Sequence, residues 1–93
     1  MELTSKRRAE LKAKAHELDP VAHIGKYGVT PESLAYIDNA LSDHQLIKVK
    51  FLGFKERRVE LSEEIAGATS SVVIDVIGNV AILYREKPET SEK

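Results

Sequence analysis

Hydrophobic and polar positions alternate along this chain in seven readable stretches. Leu11, Ala15 and Leu18 recur at helical spacing and predict a first helix over residues 4–18. Asp19-Pro20 stops it, because proline disfavours helical geometry in the residue before it. The short apolar run Val21-Ala22-His23-Ile24 reads as a strand. Thr30 as N-cap, Pro31 at the first helical position and Glu32 in the first turn open a second helix that runs to about Asp43. Leu34, Ile37 and Leu41 form its inner face. Alternation over 46–51 predicts a strand with Ile47, Val49 and Phe51 on one face and Leu46, Lys48 and Lys50 on the other. Leu61, Ile65 and Ala68, with Val59 nearby, mark a third helix over 55–68, whose end Gly67 loosens. Residues 71–77 and 80–85 are strands apolar on both faces, a pattern of central strands covered on two sides. Gly78-Asn79 between them signals a two-residue hairpin of the II′ kind.

The order helix–strand–helix–strand–helix–strand–strand predicts an α/β fold: one small domain over residues 1–86, with helices packed on a four-stranded mixed sheet. Helical crossovers favour parallel neighbours, and the final hairpin adds an antiparallel pair. Residues 87–93 form a polar tail that should fray. The length suits a single core. The absence of cysteine excludes a disulfide framework, a thiol nucleophile and a cysteine metal site. No apolar run approaches the length that spans a bilayer, and Lys6-Arg7-Arg8 is followed by no apolar segment of a secretory signal. A cytoplasmic protein with no membrane partner is expected, with a monomer favoured.

Charge sharpens this picture. The net charge is −1, yet residues 48–58 hold five Lys/Arg against one Glu, and residues 29–47 hold three acids and no Lys or Arg. A directed basic site is compatible with that segregation. Gly25-Lys26-Tyr27-Gly28 joins a strand to a helix start. Its glycines can take φ > 0 and let another backbone approach closely. The helix start offers unpaired N–H groups and partial positive charge, Lys26 a full charge and Tyr27 a flat face. A plain turn that needs glycine fits the same four residues. On the first helix Arg7 and Lys14 fall on one flank of the apolar stripe and Arg8 and Lys12 on the other. They read either as a basic surface or as side chains snorkelling over the core. Lys48 and Lys50 share one face of their strand, as part of a basic track or as guards of an edge strand. Lys55, Arg57 and Arg58 crowd the start of the third helix against its dipole, which points to a bound anion or to pairing with Glu56 or Glu60.

Catalytic chemistry finds little support. The spacings of His16, His23 and His44 match no metal pattern, and His23 reads as a packed or edge residue. Glu63 and Glu64 are neighbours on a helix and point in different directions. Neither a Walker-type phosphate loop nor a nucleophile elbow is present. The chain reads as a binding domain with no catalytic residues, no metal ligands and no cofactor.

Several blocks in order resemble the CRM domain (chloroplast RNA splicing and ribosome maturation) in its free-standing, YhbY-like form. They are Leu3-Thr4-Ser5-Lys6-Arg7-Arg8, His23-Ile24-Gly25-Lys26-Tyr27-Gly28-Val29-Thr30, Leu46-Ile47-Lys48-Val49-Lys50, Val76-Ile77-Gly78-Asn79 and Leu83-Tyr84-Arg85. The resemblance implies a sheet similar to that of the C-terminal domain of a bacterial translation initiation factor. It implies an RNA-binding module whose Gly-x-x-Gly loop lies at the RNA surface, as in the unrelated KH fold. It also implies association with the rRNA of large-subunit precursors during ribosome assembly. By direct match it assigns Gly25, Lys26, Tyr27 and Gly28 to RNA. As a basic surface it adds Lys6, Arg7, Arg8, Lys12 and Lys14, with Lys48, Lys50, Arg57 and Arg58 extending the track. A second reading is a protein-interaction module whose acidic faces bind a basic ribosomal protein.

Overall fold

The computed structural model describes residues 3–86; the polar tail predicted at 87–93 lies outside them. Seven elements follow in the expected order: α1 (Ser5–Ala15), β1 (Ala22–Ile24), α2 (Pro31–His44), β2 (Leu46–Phe51), α3 (Arg58–Thr69), β3 (Val72–Ile77) and β4 (Val80–Tyr84). The strands form one mixed sheet in the order β1-β2-β4-β3. β1 and β2 are parallel, and β4 runs antiparallel to both β2 and β3. The crossover through α3 therefore sets β3 parallel to β2, but β4 inserts between them.

Alternation divides the sheet into two faces. On one, Ile24, Ile47, Val49, Phe51 and Leu83 pack under Ile37 and Leu41 of α2 and Leu61 and Ile65 of α3. On the other, Leu11 and Ala15 of α1 cover Ile74, Ile82 and Tyr84. The domain is thus a three-layer sandwich, with two helices on one side and one on the other.

The strand order corrects two expectations. β2 lies inside the sheet, so Lys48 and Lys50 do not guard an edge. β3 is an edge strand, as β1 is on the other side, so of the two apolar strands only β4 is central. The β3 carbonyls at a register shift between Val73 and Asp75 are met by Arg8, whose Nη1 donates to Val73 O at 3.0 Å and Ile74 O at 3.2 Å. A cation there blunts the open edge.

Helix ends also differ from the pattern. α1 stops at Ala15, and Leu18 lies beyond it, 38% exposed. α3 begins at Arg58, later than predicted, because residues 55–57 form a turn. Its buried stripe is Leu61, Ser62, Ile65, Ala66 and Thr69; Ala68 and Val59 face solvent. Ser62 and Thr69 fit the core because each hydroxyl donates to a carbonyl one turn back, Arg58 O and Ile65 O. Gly67 lies within the helix, and Ser70 ends it in the left-handed region. Thr30 caps α2 as predicted, and Gly78 at φ 59° alone takes a positive φ in the hairpin, as a II′ turn requires. Among the described residues no helix is long and apolar enough to cross a membrane.

Candidate nucleic-acid interface

Three connections meet at one end of the sheet. Because β1 and β2 are parallel, their C-terminal ends coincide, and antiparallel β4 brings the β3–β4 turn to the same place. The loop after β1, the loop after β2 and the Gly78-Asn79 turn therefore share an end. Hydrogen bonds tie them together. Phe51 N donates to Asn79 O at 2.7 Å, and Leu52 N donates to Ile24 O at 2.9 Å. Arg58 donates through Nε to Gly53 O and through Nη1 to Gly78 O, at 3.1 and 3.3 Å.

The first of these loops is a tight turn, with Gly28 N donating to Gly25 O at 2.9 Å. Its glycines are not equivalent. Gly28 has φ +71°, and a Cβ there would lie 3.6 Å from the ring of Phe54. Gly25 lies outside the left-handed region, and a Cβ on it would meet nothing within 4 Å. Phe54 itself takes φ 56°, a rare conformation for a bulky residue. Its half-buried ring joins the core and supports the loop from below. Above that base, Tyr27 is 81% exposed and the Lys26 ammonium sits 5.2 Å from its ring centroid, within cation–π range.

The start of α2 contributes less than its sequence promised. Pro31 has no N–H, the Ser33 N–H is capped by Thr30 Oγ1, and the Thr30 N–H donates to Ser33 Oγ. A self-capped start has little left for an anion. The start of α3 is open by contrast, with no side-chain cap at Arg57.

The remaining predicted cations separate into groups. Lys26, Lys50 and Lys55 have no ion-pair partner among the described residues. Lys48 donates to Leu18 O at 3.0 Å and so ties the segment after α1 to β2. Arg57 pairs with Glu60 at 3.1 Å, which raises its pKa, and Arg58 is held by loop carbonyls. Lys12 pairs with Asp75 at 2.8 Å, and this hydrogen bond holds the carboxyl below its ordinary range. Arg8 serves the β3 edge, while Lys6 is exposed on α1. Arg7 and Lys14 lie at the other end of the domain, lining a cleft of about 570 Å³ with Leu11, His44, Leu46 and Tyr84. Arg7 donates to the Tyr84 hydroxyl and to Glu10, each at 3.4 Å, which raises its pKa. The structure does not bring Arg7 and Lys14 together with the glycine loop.

Two structural roles have little trace in the sequence. Phe54 shows only as an aromatic after a glycine. Arg85 holds the opposite end: it donates to Asp38 Oδ1 (2.6 Å), Thr69 O (2.8 Å), Asp38 O (2.9 Å) and Ser42 Oγ (2.9 Å), joining α2, α3 and β4. Among the described residues no three His, Asp or Glu side chains gather as metal ligands.

The model of the CRS1 / YhbY (CRM) domain family matches residues 3–85. The chain belongs to this family. CRM-domain relatives include an "RNA-binding protein" of Haemophilus influenzae, 39% identical over 94% of this chain and 89% of that protein. Another is the "Probable RNA-binding protein YqeI" of Bacillus subtilis, 34% identical over 97% of this chain and 95% of the relative. The CRM fold extends to the solution structure of the hypothetical protein SAV1595 from Staphylococcus aureus. That structure matches with a TM-score of 0.82 and 37% identity, over 97% of this chain and 95% of the other.

Proposed function

We propose that this CRM domain binds RNA without catalysing a reaction, and that its target is rRNA of the large-subunit precursor during ribosome assembly. The observation that carries the reading is the Lys26–Tyr27 pair, exposed at the tip of a turn that Phe54 supports against Gly28. Lys26 and the loop N–H groups contact phosphates, and Tyr27 stacks on a base or lies against a ribose. Lys50 and Lys55 extend the positive potential at the same end. Such contacts position the domain and read the shape of folded rRNA more than a linear motif. The names of the relatives support RNA as the partner class. The large subunit rests on the family resemblance. A monomer acting in the cytoplasm completes the reading.

Crosslinking in cells, followed by sequencing of the attached RNA, tests it. Wild type should concentrate crosslinks in large-subunit rRNA, and a folded Lys26→Ala/Tyr27→Ala variant should lose them. Strong crosslinks indifferent to that variant would remove the loop from the account. Recovery of ribosomal proteins with no RNA enrichment would replace the account with binding through the acidic faces.

A further inference from the structure

The face of the sheet that carries α1 is not fully covered. Leu11 and Ala15 pack on Ile74, Ile82 and Tyr84, with Leu46 and Val72 at the margin. Towards the loop end, α1 and the turn after it reach no further than the row of Ile82, where Lys12 meets Asp75 and the Leu18 carbonyl accepts from Lys48. The next row has no helix over it. Its members lie side by side on four strands: His23 pairs with Lys50, Lys50 with Val80, and Val80 with Ile77. Their chain neighbours Ala22, Ile24, Val49, Phe51, Ala81 and Val76 pack in the opposite cluster, so alternation puts the row on the α1 side. His23 is exposed, Ile77 is 51% exposed, and Lys50 and Val80 are half-buried.

We propose that the row His23–Lys50–Val80–Ile77 seats unpaired RNA bases beside the glycine loop, which makes single-stranded or looped-out RNA the preferred substrate. The inference rests on the RNA-binding reading above and names the substrate class of that site. Four strands at ordinary spacing give the row a width of about 14 Å, more than one base needs. The imidazole and the two branched side chains offer flat apolar contact to a base face, and the Lys50 ammonium meets the adjoining phosphate. A duplex hides those base faces within its stack, so it can use the loop but not the row. Charge favours a nucleic acid over another apolar protein surface. The row contains a cation and no acid, and the acid in the neighbouring row, Asp75, is already held by Lys12 and by the Val76 N–H.

Fluorescence anisotropy at fixed salt tests the row, with an unstructured RNA oligonucleotide and a duplex of equal length as probes. The His23→Ala/Ile77→Ser variant should lose about tenfold in affinity for the single strand and less than twofold for the duplex. Lys26→Ala/Tyr27→Ala should weaken both. Ile77→Thr, which keeps a β-branched residue on the edge strand, should show a smaller loss in the same direction and serves if the double variant does not fold. Equal losses on both probes, or none on the single strand, would overturn the row while leaving the loop in place. Wild type that binds only the duplex would do the same. Wild type that binds neither probe would remove the RNA reading together with the row.

Discussion

Gly25 and Gly28 look alike in the sequence and differ in what the fold asks of them. Gly28 sits at φ +71° against the Phe54 ring, whereas Gly25 has ordinary φ and open space where a Cβ would go. A left-handed conformation costs a non-glycine residue roughly 1–2 kcal/mol. Gly28→Ala should therefore lower unfolding stability by about that amount, while Gly25→Ala should stay within about 0.5 kcal/mol of wild type. Urea denaturation midpoints of the two variants check this. The asymmetry was hidden because it depends on Phe54, which reaches the loop only through the tertiary fold. The N-cap of α2 was legible because Thr30 and Pro31 act on adjacent residues. Its completion by Ser33 was less so, since a serine there looks like any polar surface residue.

Between elements, two polar contacts fix how layers meet. Lys12 of α1 holds Asp75 of β3, and the hydrogen bond from Lys12 lowers the Asp75 pKa. A depressed carboxylate pKa in the folded state means that stability from this pair is present above the unfolded value, about 3.9, and is lost as pH falls through the lowered folded value. Asp75→Asn should thus flatten the acid limb of the stability curve, seen as a smaller drop in Tm between neutral and acid pH than wild type shows. Arg85 joins α2, α3 and β4 through four hydrogen bonds. Arg85→Met should cost about 2 kcal/mol and leave RNA affinity unchanged, because this clamp lies away from the glycine loop; chemical denaturation and a binding titration on the same sample check both parts. Element identity was legible here and helix limits were not. The stripe Leu11-Ala15-Leu18 suggested a longer α1, but the chain turns away after Ala15 and leaves Leu18 partly exposed.

For the whole molecule, chain order was legible and strand order was not. Nothing local in residues 80–84 says that this strand inserts between β2 and β3; the position depends on partners far apart in the sequence, Leu46–Lys50 on one side and Val72–Ile77 on the other. β2 is central because β1 and β4 pair on either side of it, and the common direction of β1, β2 and β3 brings three connections to one end, where Lys26, Lys50 and Lys55 add positive charge on a chain of net charge −1. RNA affinity should accordingly fall with salt, and Lys26→Ala should reduce the slope of log K against log salt by about one phosphate's share. On the function proposed above, this end, and not the cleft beside Arg7, Lys14 and His44, is the RNA surface. Chemical-shift mapping of the isotope-labelled domain during titration with an rRNA fragment tests it most directly. Perturbed amides clustered at 23–30, 50–58 and 77–80, with Gln45, Leu46 and Arg85 unmoved, are the predicted result. Perturbations centred on His44, Leu46 and Tyr84, with the glycine loop silent, would contradict the account.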